Sequence, residues 1–166
     1  MSLFYFFWGF IIIERLIELK IAGSNRKKLI QLGAIEYDKR GYRYIVVMHV
    51  LFLTFLVIEN YFQGYINQFS VHLFSLFLIL QVIRYWCIFT LGIYWNTVIL
   101  IVPGSKIIKK GPYRYLKHPN YLVVTLEFLI IPLIFSLYFT CIIFSIVNIL
   151  VLTRRVQIEN SVLGYS

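Results

Sequence analysis

Apolar residues run along this chain in blocks long enough to cross a bilayer, and polar positions cluster at the ends of those blocks. Residues 3–13 are purely apolar, and Glu14, Arg15, Glu18 and Lys20 follow without a helix breaker. Since roughly 20 residues cover the hydrocarbon, the pattern predicts a first span over 3–22 whose charged last turns reach the interface. A second span is predicted over 44–60, broken by His49 and closed by Glu59-Asn60. The third, over 69–89, carries His72, Gln81 and Arg84. The last apolar region, 121–152, holds Pro132, Ser136 and Thr140 near its middle. It reads as a helical hairpin with spans over 120–135 and 137–153, short enough to thin the bilayer locally. The expected architecture is an all-α integral membrane protein, a single domain over 1–166 with five transmembrane helices.

Between the third and fourth spans the period changes. Tyr94-Trp95-Asn96 is an interfacial aromatic cluster, and Thr97 to Val102 is β-branched and too short to span. Pro103-Gly104 is a turn signal, so a short local β-hairpin lying on the membrane face is expected.

Lysines and arginines set the expected orientation. Arg26, Lys27, Lys28, Lys39, Arg40 and Arg43 fall between the first two spans, and Lys106, Lys109, Lys110, Arg114 and Lys117 between the third and fourth. Residues 61–68 hold none, and Arg154-Arg155 follow the last span. By the positive-inside rule the basic loops and the tail are cytoplasmic and the amino terminus is outside. Lys117 and Arg154 on one side require an even number of crossings between them, which the hairpin supplies.

Composition agrees with a membrane location. The chain is 60% hydrophobic, 19% aromatic and only 14% charged, with a mean hydropathy of +0.80. A net charge of +9 would suit nucleic acid in a soluble protein; here one basic membrane face accounts for it, and nucleic acid is set aside. Cys87 and Cys141 lie in separate apolar runs without C-x-x-C spacing, so neither a disulfide nor a metal site is implied. The first residues lack a basic n-region and a small-residue cleavage signal, and read as a retained span.

The candidate chemistry centres on Gly111-Pro112-Tyr113-Arg114-Tyr115-Leu116-Lys117-His118-Pro119-Asn120-Tyr121. His118 before Pro119 is biased to an extended conformation, and Pro119 suits the first position of a helix. A helix starting there turns its N–H groups toward a carboxylate or phosphate, with Lys117 and His118 beside them. Tyr113, Tyr115 and Tyr121 offer aromatic faces to a cation or flat base. A basic–aromatic anchor at the interface has the same composition. Two features favour a site. Glu127 lies seven residues after Asn120 on nearly the same helix face, and carboxyls inside a span are functional by default. Arg155 and Glu159 share a helix face, with Asn160 next, and the hairpin returns them to the His118–Tyr121 side. Glu14, Arg15 and Glu18 read as a snorkelling helix end or a cavity-lining face. His49 and His72 read as hydrogen-bonded helix histidines without a catalytic role.

The 111–121 motif, a membrane hairpin and Arg155-x-x-x-Glu159 resemble the isoprenylcysteine carboxyl methyltransferase family. Glu14-Arg15-Leu16-Ile17-Glu18-Leu19, Asn25, Gly33-Ala34-Ile35-Glu36, His49 and Gln81-Val82-Ile83-Arg84-Tyr85-Trp86 with Leu91-Gly92 and Trp95 extend the likeness to its small bacterial branch, related to alkylpyrone O-methyltransferases. The resemblance implies methyl transfer from S-adenosylmethionine, bound on the cytoplasmic side, to a lipophilic acceptor entering from the bilayer. It implies cofactor contacts by Tyr113, His118, Pro119, Asn120, Tyr121, Glu159 and Asn160, and catalytic roles for Arg155, Glu127 and Arg84. Asn160 replaces the second of two adjacent tail glutamates common in the family. The acceptor expected is a lipidic hydroxyl or enol, such as an alkylpyrone, ahead of an isoprenylcysteine-type carboxylate. The alternative is a non-catalytic assembly factor or small transporter held by a basic–aromatic anchor.

Overall fold

The computed structural model describes residues 2–163. Its elements are α1 (Ser2–Gln31), β1 (Ile35–Tyr37), α2 (Lys39–Gln63), α3 (Ser70–Leu91), β2 (Ile99–Ile101), α4 (Pro119–Ile134) and α5 (Tyr138–Leu163), with short 3-10 turns at Gly92–Tyr94 and Gly111–Arg114.

The expectation of five transmembrane helices is corrected. Among the described residues three segments are long and apolar enough to cross a membrane: Lys39–Gln63, Ser70–Tyr94 and Tyr138–Leu163. The fourth helix, α4, is apolar but has 16 residues, about 24 Å at the helical rise against roughly 30 Å of hydrocarbon. Charged Glu14, Arg15, Glu18 and Lys20 interrupt α1, so its apolar part ends too soon. The positive-inside reading that put the amino terminus outside took residues 3–22 as a span, and it falls with that span.

Two local expectations also change. Residues 23–31 continue α1 instead of forming a basic loop. The strand at 99–101 pairs antiparallel with β1, Ile35 facing Ile101 and Tyr37 facing Ile99, and not with a neighbour across Pro103-Gly104. The turn itself forms: Gly104 has φ +75° and Ser105 N–H reaches the Val102 carbonyl at 3.1 Å, as Pro-Gly in the middle of a turn requires.

Phenylalanines fill the core between helices. Phe52 stacks on Phe128 with centroids 4.3 Å apart, and Phe4 meets Phe135 edge-on at 5.0 Å. Large apolar residues such as Phe6, Val71, Phe89 and Leu150 point outward, a surface that fits lipid and not water. The hairpin turns over residues 135–137, where Ser136 takes φ +56°. Glu59 of α2 accepts from the first free N–H groups of α5, Phe139 at 2.9 Å and Thr140 at 2.7 Å. A buried carboxylate there also opposes the positive end of the helix dipole. At the other end of the bundle Asp38 accepts from Gly41 N–H and from Arg154 at 3.0 Å, tying the start of α2 to α5.

Candidate active site

A buried charge cluster joins α1, α3 and α4. The guanidinium of Arg84, 1% exposed, bonds both oxygens of Glu18 at 3.1 and 3.2 Å and both oxygens of Glu127. Gln81 donates to Glu127 at 2.8 Å. Arg15 reaches Glu18 at 2.9 Å, Glu14 at 3.2 Å and Glu127 at 3.4 Å. The spacing explains the convergence: Glu14 and Glu18 share one face of α1, and Gln81 and Arg84 one face of α3. Charges so buried persist only because each finds an opposite partner. Arg84 and Glu127 therefore stand in one ion-pair network.

The second cluster joins the start of α4 to the end of α5. Tyr121 hydroxyl donates to Glu159 and accepts from Arg155 Nε at 2.7 Å. Another Arg155 nitrogen donates to the Thr97 carbonyl at 2.9 Å, and its guanidinium lies 5.6 Å from the Tyr121 ring centre. His118 stacks on Tyr121 at 5.3 Å, bonds Asn160 Oδ1 at 2.8 Å and lies 3.7 Å from Glu159. Pro119 is buried at the first position of α4. The hairpin thus brings the 118–121 and 155–160 groups into direct contact. Tyr113 stands alongside, its phenol pushed well above the usual range by burial and then by the Cys87 thiol next to it. Gly111, at φ +51°, lets this loop approach α3, where a Cβ would lie 2.6 Å from Thr90 Oγ1.

Two cavities meet at this cluster. A polar one of about 110 Å³ is lined by Tyr113, Lys117, His118, Asn120, Tyr121 and Glu159, among others. A larger, mostly apolar one of about 280 Å³ lies between α1, α2 and the hairpin, with Arg15, Glu18, His49 and Arg84 in its wall. Trp95, Asn96, Asn120, Tyr121 and Arg155 line both. Asn120 Oδ1 is buried without a hydrogen-bond partner. Of the sequence-derived residues, Tyr113, His118, Asn120, Tyr121, Arg155 and Glu159 surround the polar cavity. Asn160 sits behind His118, Arg84 borders the apolar cavity, and Glu127 sits behind Arg84.

Sequence reasoning missed Thr97 and Asn96. The Thr97 carbonyl carries no side-chain signal. Asn96, placed by its bond to the Ala22 carbonyl at 3.0 Å, was legible only as an interfacial polar residue. Asn25, named only as part of the family likeness, lies on the same α1 face as Glu14 and Glu18; it anchors the wall by donating to the Gly92 and Trp95 carbonyls at 3.1 and 2.8 Å.

Comparison with known proteins places this arrangement. The model of the isoprenylcysteine carboxyl methyltransferase (ICMT) family matches residues 72–164, which include all but the first two residues of α3 and both polar ends of the hairpin. YpbQ of Bacillus subtilis, an uncharacterised protein, is 40% identical over 97% of this chain and 96% of its own length. An uncharacterised protein of Haemophilus influenzae is 27% identical over 93% of this chain and 91% of its own. No solved structure matches significantly. With spanning helices, a family match over more than half the chain and a full-length relative at this identity, the chain is an integral membrane protein belonging to the isoprenylcysteine carboxyl methyltransferase family.

Proposed function

We propose that the protein transfers a methyl group from S-adenosylmethionine to an oxygen of a lipophilic acceptor, the polar cavity holding the donor and the apolar cavity the acceptor. Family membership carries the coarser statement: the chain is an S-adenosylmethionine-dependent methyltransferase acting on a lipophilic acceptor at the membrane. The finer one is supported by the shared wall of Trp95, Asn96, Asn120, Tyr121 and Arg155, at which a polar and an apolar ligand would meet.

The residues present fit the donor. S-adenosylmethionine brings a methyl group already activated on a sulfonium. Its carboxylate suits His118 and the start of α4, and its ammonium or ribose hydroxyls suit Glu159 and Asn160. Tyr113 and Tyr121 offer aromatic faces to its cationic and flat parts. The unpartnered Asn120 oxygen is a buried acceptor that a bound N–H or O–H group satisfies.

With the methyl already activated, the protein's task is to align donor and acceptor and exclude water. Arg155, at the junction, is placed to hold the acceptor oxygen. Glu127 and Arg84 act as positioning residues, because their charges are spent on each other and on α1. The exposed Lys106, Lys109, Lys110 and Arg114, in the segment that leads into α4, suit the anionic cytoplasmic leaflet, and we assign the site to that face. The likeness to the small bacterial branch favours a lipidic hydroxyl or enol over a prenylcysteine carboxylate.

Calorimetry of the detergent-purified protein with S-adenosylhomocysteine tests the donor site. Binding by the wild type, weakened at least 10-fold in His118→Ala and Glu159→Ala, is expected from the loss of charged hydrogen bonds, each about 1.5–3 kcal/mol. Absence of binding to wild type refutes the proposal. Labelled donor with membrane lipid extract tests the acceptor, and label confined to a prenylcysteine substrate overturns the hydroxyl or enol choice.

A further inference from the structure

The apolar cavity holds a polar atom that the reaction described above does not use. His49 lies in its wall on α2, with its ring edge-on to Phe128 at 5.2 Å. Its Nδ1 is 2.8 Å from the Ile45 carbonyl oxygen. A carbonyl only accepts, so Nδ1 carries the proton, and in the neutral ring Nε2 is left with a lone pair. Among the described residues nothing bonds that lone pair, and Nε2 is not among the atoms sealed from the cavity.

The charged groups in this wall are engaged, and the unpartnered Asn120 Oδ1 is assigned above to the donor. Arg15 and Arg84 both bond Glu18, and behind them stand Glu14 and Glu127. Arg155 and Tyr121 bond each other, and Asn96 donates to the Ala22 carbonyl. Around His49 the lining is Ile12, Leu16, Ile45, Val50 and Leu53. Once a ligand fills the cavity, an acceptor nitrogen in such surroundings loses water and regains a hydrogen bond only if the ligand donates one; otherwise the loss costs about 1–3 kcal/mol. A hydrocarbon tail would leave that loss in place. A ligand with an O–H group at this depth recovers it.

We infer that His49 is a specificity-determining residue, and that the acceptor carries a second hydrogen-bond donor beyond its methylated oxygen, seated on His49 Nε2. This rests on the reading of the apolar cavity as the acceptor site. It narrows the acceptor from any lipophilic alcohol to an amphiphile with at least two hydroxyl or enol functions on its polar end, followed by an apolar tail. Selectivity from pairing a built acceptor is strong, because an analogue without the donor leaves the site's polar atom bare.

The test uses two probes, a long-chain 5-alkyl-1,3-dihydroxybenzene and the 3-alkylphenol that lacks its second hydroxyl. Binding to the protein loaded with S-adenosylhomocysteine is read by Trp95 fluorescence, since Trp95 lines both cavities, and methyl transfer is measured in parallel. Wild type is expected to bind the dihydroxy probe about 10- to 100-fold more tightly than the phenol. His49→Leu is expected to lose that preference through KM, with kcat changed less than about threefold, and His49→Gln, which keeps an acceptor, to restore part of it. S-adenosylhomocysteine affinity should be equal in all three proteins. Equal binding of the two probes by wild type, an undiminished preference in His49→Leu, or no binding of either probe overturns the inference. Failure of S-adenosylhomocysteine to bind wild type instead overturns the donor-site reading.

Discussion

Arg84→Ala is the most informative perturbation of the buried cluster. It leaves Glu18 and Glu127 without the guanidinium that bonds each of them through two oxygens. Arg84 is 1% exposed and Glu127 4%, so water cannot replace the lost partner. Removing one member of a buried ion pair costs about 3–5 kcal/mol. Arg15 still contacts both carboxylates, which pulls the expected loss toward about 3 kcal/mol. Replacing the pair together, Arg84→Met with Glu127→Leu, removes a charge of each sign and keeps the volume. Such exchanges are often neutral, and the double variant should recover to within about 1 kcal/mol of wild type. Unfolding is followed by circular dichroism in mixed micelles of dodecyl maltoside and increasing SDS, with S-adenosylhomocysteine affinity measured on the same samples. A loss below about 1 kcal/mol in Arg84→Ala refutes the claim that the cluster holds three helices together. A double variant that is stable, binds S-adenosylhomocysteine and transfers no methyl refutes the assignment of these two residues to positioning.

Three further outcomes follow from the geometry. Glu59→Ala should destabilise the protein by about 2–4 kcal/mol, since two N–H groups of α5 lose a charged acceptor, and hydrogen exchange should accelerate at Phe139 and Thr140. Gly41→Ala places a Cβ 1.8 Å from Asp38 Oδ2, so Asp38 must leave its cap and Arg154; the expected cost is about 1–2 kcal/mol, and it should vanish in an Asp38→Ala background. Burial raises the Tyr113 phenol above its ordinary value near 10. The folded state therefore disfavours tyrosinate, and stability is full below pH 10 and lost as pH rises beyond it. Tyr113→Phe should fall less steeply over that range, as read by melting temperature against pH.

Local spacing made part of this legible in the sequence. Arg155 and Glu159 lie four apart, His118 and Tyr121 three apart, and the Pro132–Ser136 stretch marks a reversal, so their meeting needed only helical geometry and one turn. The β1–β2 pairing was illegible because its strands are three residues each and more than 60 positions apart. Local patterns favoured a neighbour across Pro103-Gly104 as partner. Glu59 read as the polar end of a span, since the N–H groups it caps are 80 residues away. The five-span count failed because apolar composition measures hydrophobicity and not reach: α4 is mostly apolar but stops at Ile134. His49 looked like a satisfied helix histidine, and half of it is; the free lone pair shows only once the cavity beside it is in view.

Glu59 makes α5 a measuring rod. From the clipped N–H of Phe139 to Arg155 the helix rises about 24 Å, and Arg155 meets Tyr121 at the end of that length. The distance and the rotation are set together, because each residue adds about 100° of turn as well as 1.5 Å of rise. One residue inserted anywhere between Glu59's contact and Arg155 would swing the guanidinium a quarter-turn off Tyr121 while leaving every side chain of both clusters unchanged. The length of an apolar helix is therefore part of the site, and the bilayer thickness that helix must match bears on chemistry carried out at its far end.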